Sequence, residues 1–344
     1  MLKHFTVLNK KAGRFSPTLY QQICSHTING EGITGRVIAT EGSSDLEKFL
    51  AESAAESCDI LGIGGGDGTF AETITAVMKM WGDVPAYIAP YGIGTINNVT
   101  LAVGLNGKPL EVARYVGSLT SVRGIAYRSL SLLKINQRYG FNVGFGLVPK
   151  LVWLYEGHSI RDYELFIEKP QSFPTEAAKR SESLLRRLPG RFRALRASFL
   201  GIAGAVHLSS SAQSYFNEEL DVEIYIDGKK FIPSSSRPAT AIMTAAYEQV
   251  SLGLFLMPEP LPGARAVEGK MRVLITTLTP EEAVTTQLAK LFRGQELDKT
   301  KYAYAHELSL ESSQPFLAQI DGDIYKGKRF EISCDRTMKF IVPQ

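Results

Sequence analysis

The chain has 344 residues, 44% of them hydrophobic and 21% charged, enough to bury a sizeable core and to divide into two domains. Its 38 Lys and Arg against 35 Asp and Glu leave a formal charge of +3, too close to balance for a nucleic-acid binder, so any basic function must be local. Cys24, Cys58 and Cys334 are odd in number, far apart and without CxxC spacing, which argues against a disulfide framework or a zinc site and fits a reducing compartment.

The apolar stretch in Met1–Asn9 is too short for the core of a signal peptide, and no later run stays apolar for the ~20 residues of a spanning helix. The expectation is a cytoplasmic protein, neither secreted nor integral. From Phe5 to about Gly124, short apolar runs alternate with helix-like stretches: Phe5–Leu8, Thr18–Ser25, Arg36–Ala39, Ser44–Ser57, Ile60–Ile63, Phe70–Trp81, Ala86–Ala89 and Leu110–Gly117. This βαβα order predicts an α/β N-terminal domain, residues 1–124, with helices covering a parallel sheet. Ligands of such sheets bind beyond the carboxyl ends of the strands, where turn residues stand at Asn9–Gly13, Gly64–Gly68 and Tyr91–Gly94.

From about Ile125 the segments become β-rich: Ser129–Ile135, Tyr139–Val143, Leu220–Ile226, Ala239–Thr244 and Lys270–Thr277, separated by Gly, Pro and Asn turns. They predict a mainly antiparallel C-terminal domain, a β-sandwich or partial barrel, over residues 125–325. A helical insertion interrupts it at about 150–208, and a segment at 326–344 can return to the first domain. The insertion is basic, with Arg186, Arg187, Arg191 and Arg193 among Leu184, Leu188, Phe192, Leu195 and Phe199. Its apolar spacing is compatible with peripheral contact with a membrane surface, and equally with a helix packed on the β-domain with solvated arginines.

The strongest feature is Asp59–Glu72, where an apolar strand runs into Gly64-Gly65-Gly66-Asp67-Gly68-Thr69 and then a helix. Glycines let the backbone turn tightly against a ligand, and helix N-terminal amides favour phosphate. No Lys-Ser/Thr follows, so this is not a P-loop. A carboxylate beside a polyphosphate points to magnesium or to catalysis; the plainer reading is a glycine turn with Asp67 as helix N-cap. A second turn, Pro90 to Asn98, contains Gly94, Thr95 and Asn97 and could reach the same phosphates or a ribose.

With both turns in view, the chain resembles the diacylglycerol kinase catalytic family, which includes bacterial soluble lipid kinases and sphingosine kinases. Leu8-Asn9-Lys10-Lys11-Ala12-Gly13 is similar to its Asn-Pro-x-Ser-Gly loop, with Lys10 in place of proline. Gly65-Gly66-Asp67-Gly68-Thr69 with Glu72 is similar to its signature, and Gly94-Thr95-Ile96-Asn97-Asn98 to its Gly-Thr-x-Asn turn. Phe141–Gly146 resembles its Asn-x-x-x-Gly segment, and Ile320-Asp321-Gly322-Asp323 stands where the family has Asp-Gly-Glu. The resemblance implies an N-terminal domain of the NAD-kinase and phosphofructokinase type, ATP and Mg2+ as cofactors, and a lipid alcohol as phosphoryl acceptor.

It also implies nucleotide contacts from Asn9, Thr40, Gly64, Gly65, Gly66, Asp67, Gly68, Thr69, Gly94, Thr95 and Asn97. Asp323 becomes the proton acceptor, supported by Asp321 and Asp67. Glu268 takes the place of the aspartate that holds a structural magnesium in the family. Family members can dimerise, but no heptad or exposed strand in this sequence demands a homodimer.

Taken alone, Asp321-Gly322-Asp323 reads as a hairpin turn, as does Asp227-Gly228. Trp153, Tyr155, Leu151 and Leu154 read as core packing more readily than as an acyl pocket, and the five histidines as structural or surface residues. Two other readings compete. One is an NAD kinase-like enzyme, which shares the glycine loop but leaves the C-terminal Asp-Gly-Asp without a role. The other is a nucleotide- or lipid-binding regulatory protein that kept the fold without turnover.

Overall fold

The computed structural model describes residues 2–28, 32–54, 56–95, 97–105, 108–156, 158, 166, 215–216, 219–233, 237–247, 269–287, 290, 293 and 295–343. The chain divides into two compact units: Met1–Leu132 with Gln137–Phe141 and Asp335–Gln344, and Leu133–Asn136 with Asn142–Cys334.

The first unit is α/β. Strands β1 (Leu2–Asn9), β2 (Ile33–Thr40), β3 (Ile60–Gly65) and β4 (Tyr87–Gly92) form a parallel sheet in the order β2-β1-β3-β4. On the far side of β4, Phe340 pairs in parallel with Ile88. β3 is buried at every position, as expected of a central parallel strand covered on both faces. Helices α1 (Pro17–Thr27), α2 (Ser43–Ser53), α3 (Asp67–Trp81), α4 (Asn98–Ala102) and α5 (Pro109–Gly117) follow.

Local chemistry sets their ends. Ser16 Oγ accepts from Leu19 N at 3.1 Å, and a proline opens the first turn of α1. α3 stops at Gly82, which takes the left-handed φ of 77°. Phe70, Ile74 and Val77 give α3 a buried i, i+4, i+7 stripe, each side chain contributing about 1.5–3 kcal/mol on burial. On β1, His4 is fully buried with Nε2 2.6 Å from Thr6 Oγ1, and desolvation lowers its pKa to about 3.

The second unit is mainly antiparallel. β7 (Asn142–Gly146) lies between β10 (Ala241–Ala245) and β13 (Glu307–Ile320). β10 continues to β11 (Met271–Thr276) and then β12 (Thr300–Ala305). β13 forms a long hairpin with β14 (Asp323–Ile341), with a register shift between Glu311 and Phe316. Its first half also pairs with β8 (Glu223–Ile226), which carries β9 (Lys229–Phe231). Phe145, Phe316 and Phe330 pack with ring centroids 5.2–5.9 Å apart at the centre of the core. Helix α6 (Leu147–Tyr155) leaves β7 directly, and Thr279 and Glu282 close a capping box on a short helix α7 (Pro280–Thr285).

The stretch Tyr139–Val143, expected to be one strand, is two. β6 (Arg138–Gly140), which pairs with β5 (Tyr127–Ile135), belongs to the first unit and β7 to the second. Phe141 between them is fully buried against the Phe340 ring, 5.8 Å away, and an apolar residue anchored at that point looks in the sequence like strand continuation. Helix α6 starts at Leu147, just before the helical insertion expected at about 150–208; the arginine-rich stretch expected there lies outside the described residues, as does Glu268.

Candidate functional site

In the first unit the strand ends fall into register at the carboxyl edge of the sheet: Asn9 opposite Thr40, Leu8 opposite Gly64, and Gly65 opposite Gly92. The chain leaving β3 turns at Gly66, the extended N-cap of α3, which offers no side-chain cap. Thr69 N and Phe70 N donate to Gly66 O at 3.0 and 3.2 Å, so the glycine N-cap leaves the Asp67 and Gly68 amides to suit an external anion. Thr69 Oγ1 accepts from Asn9 Nδ2 at 3.0 Å, tying the loop after β1 to the start of α3.

The second turn interlocks with the first. Gly94 N donates to Gly65 O at 3.0 Å, and a Cβ at Gly94 would lie 2.3 Å from Gly66 Cα and 2.6 Å from Gly66 N. Only glycine permits that approach. Asn97 is consumed in holding the turn: Oδ1 accepts from Gly94 N and Nδ2 donates to Gly94 O, both at 2.9 Å. The loop after β1 closes the third side, with Arg14 N donating to Ile93 O at 2.8 Å and a Cβ at Gly13 falling 2.7 Å from Thr95 Oγ1. Thr95 is exposed, whereas Thr40 is buried beside Asn9 and Lys10 N donates to its carbonyl at 2.9 Å.

Asp67, expected as a carboxylate for magnesium or catalysis or as an N-cap, has both carboxylate oxygens engaged by backbone amides. It is the first residue of α3 rather than its cap. Its Oδ2 accepts from Asn98 N at 3.1 Å and its Oδ1 from Val99 N at 3.0 Å, at the start of α4. Burial raises its pKa to about 6, opposed by the Val99 and Asn98 hydrogen bonds, which favour the charged form. The side chain thus bolts α4, and with it the second turn, to the first turn. Sequence reasoning missed this because the partners lie more than thirty residues away and are backbone amides that any residue supplies.

In the second unit, Asp321 and Gly322 form a two-residue hairpin turn between paired Ile320 and Asp323, with φ of 46° and 97°. These two left-handed residues make the mirror-image turn that Asp-Gly favours. Asp227-Gly228 repeats it between β8 and β9, at 48° and 74°. Their surroundings differ. Asp227 is exposed, and the amides of Glu307 and His306 on its carboxylate lower its pKa. Asp321 is buried: its N donates to Asn142 O at 3.0 Å, and the Gln319 carboxamide, assigned the orientation that satisfies these donors, accepts from Asp321 N at 3.0 Å and Gly322 N at 2.6 Å.

Ile320 pairs with Val143, so the Asn142–Gly146 segment and the Asp-Gly-Asp turn, remote in sequence, are neighbours in this unit. Asp323 is half-buried. Trp153 and Leu154 pack with Leu317 and with Ile324, the residue after Asp323, and Lys150 Nζ donates to Tyr215 O at 2.7 Å beneath them. Among the described residues, no three His, Cys, Asp or Glu side chains are grouped to hold a metal. No described helix is long and apolar enough to cross a membrane.

Residues 3–125 match the diacylglycerol kinase catalytic domain. "Probable lipid kinase YegS-like" of Stenotrophomonas maltophilia (strain K279a) is 30% identical over 94 residues, 26% of this chain, which spans only 30% of that relative. A diacylglycerol kinase structure from Bacillus anthracis str. Sterne superposes with a TM-score of 0.56 at 14% identity, covering 98% of this chain and 96% of the other. Another structure from that organism gives a TM-score of 0.62 at 16% identity with the same coverage. At these identities the structures establish the fold.

Proposed function

We propose that this chain, whose residues 3–125 carry a diacylglycerol kinase catalytic domain, is a lipid kinase. It moves the terminal phosphoryl group of ATP to the hydroxyl of a diacylglycerol-like or other lipid alcohol. The observation that best supports this reading is the interlocked pair of glycine turns at the carboxyl edge of the parallel sheet, Gly94 N to Gly65 O at 3.0 Å.

The donor set there suits a polyanion. It offers the Asp67 and Gly68 amides after Gly66, the Asn9 amide, and the Thr69 and Thr95 hydroxyls, while the carboxylate within the glycine loop, Asp67, is turned onto backbone amides. ATP supplies the group transferred, and magnesium the charge that offsets its phosphates. Phosphoryl transfer asks the protein mainly for positioning. Asn9, Thr69 and the two glycine turns hold the phosphates in place; Thr40 and Thr95 border them.

Asp323 is assigned the proton-acceptor role. A lipid hydroxyl is too weak an acid to lose its proton beforehand, so the carboxylate acts as the new bond forms and contributes about 10²–10⁴-fold. Asp321, set one residue before the turn glycine, supports it. The test is transfer of label from radiolabelled ATP with magnesium into a mixed lipid extract in micelles, with NAD as a parallel acceptor. Asp323→Ala is expected to lose at least about 10²-fold in rate while its affinity for ATP stays at the parent level. Label that never enters the organic phase, or that enters equally with Asp323→Ala, would overturn the reading, and label on NAD would replace it.

A further inference from the structure

The second unit leaves a seam in its sheet. Among the described residues β9 pairs only with β8 and β12 only with β11, so both are edge strands. A groove of about 410 Å³ opens beside them, in the size range of small-ligand sites. Ile226, Phe231, Val273 and Ile275 line it and continue into the core cluster, and Lys229, Lys230 and Lys301 surround it. Lys230 pairs with Glu223 at 2.5 Å, but Lys229 and Lys301 are exposed and form no ion pair among the described residues. The one carboxylate of the lining, Asp227, is already engaged by the amides of His306 and Glu307.

Next to Phe231 stands Ile232, 78% exposed, the most exposed large hydrophobic side chain described. Lysines on edge strands can serve simply to block pairing with another chain. That role requires neither an apolar groove behind them nor a bare isoleucine beside them. Apolar side chains flanked by lysines are instead what an interfacial membrane contact uses.

We propose that this face, Lys229–Ile232 with Lys301, docks on an anionic lipid surface, with an acyl chain on the groove floor and a lipid phosphate at Lys229 and Lys301. The face is built from other residues than the arginine-rich stretch of the sequence and does not depend on phosphoryl transfer.

The experiment is flotation of the full chain with phosphatidylcholine vesicles, with and without phosphatidylglycerol. Expected is binding to the anionic vesicles alone, weakened by salt. The double variant Lys229→Glu/Lys301→Glu should bind at least about 10-fold more weakly, since each lysine near such a surface is worth roughly 1 kcal/mol. Ile232→Ser should bind several-fold more weakly. The variants should melt as the parent does and keep its activity on detergent-dispersed lipid, which separates failure here from failure of the kinase reading. The proposal is overturned if the parent ignores anionic vesicles or binds neutral ones equally. Variants that float like the parent would overturn it too, as would capture of dispersed short-chain phosphatidic acid without vesicle binding.

Discussion

Gly94→Ala is expected to lower kcat/KM for ATP by about 10²-fold or more and to abolish thermal stabilisation by the nucleotide. An added Cβ would lie 2.3 Å from Gly66 Cα, a backbone atom that cannot swing aside like a side chain, so the two turns must part. Displacements of about 1 Å at a phosphate cradle cost on that order, and the overpacking itself costs about 1–3 kcal/mol of stability. Gly82→Ala is the control. Gly82 has a left-handed φ of 77° but nothing within 4 Å of its Cβ position, so the substitution should cost about 1 kcal/mol in backbone strain and leave activity intact. Equal activity losses in both variants would show that unfolding, not turn geometry, is being read. Isothermal calorimetry with ATP and a urea titration on each variant settle the point.

How much of this was legible beforehand depended on the range of the interactions. The strand–turn–helix at Ile60–Trp81 could be read because its signals are local: a continuous apolar run, glycines where the backbone turns, then an apolar stripe at helical spacing. The five-residue α4 was too short to register a period. β13 and β14, 14 and 19 residues long, carry a register shift that scrambles the two-residue alternation. Asp227-Gly228 and Asp321-Gly322 are the same turn in sequence and in backbone. A non-local partner, Asn142, sets the second one apart, and the family resemblance alone singled it out. The Asp67 bond to α4 is of the same kind.

Asp67 is therefore the residue whose variants discriminate most sharply. Asp67→Ala should leave the buried amides of Asn98 and Val99 without their acceptor, at about 1–3 kcal/mol each, and free the second turn. If Asp67 acts by positioning, KM for ATP rises at least about 10-fold and Asp67→Asn, whose amide oxygen still accepts, recovers part of it. A proton acceptor would instead show a collapse of kcat at unchanged KM, without rescue by Asn.

The pH dependence of stability supplies a readout independent of turnover. The folded pKa of Asp67 is raised from its ordinary 3.8 to about 6, so the stability this group contributes is full below pH 3.8 and is lost as pH rises through 6. His4 has the opposite sense: lowered from 6.5 to about 3, it contributes stability that is full above 6.5 and is lost as pH falls toward 3. Between pH 4 and 6 the two slopes oppose each other, each about 1.4 kcal/mol per pH unit. Asp67→Asn removes one of them. Its unfolding free energy in urea should therefore rise from pH 4 to pH 6 by about 2 kcal/mol more than the parent's does. Parallel curves for parent and variant would mean that the Val99 and Asn98 hydrogen bonds offset the burial of the Asp67 carboxyl in full, so that it titrates as if in water.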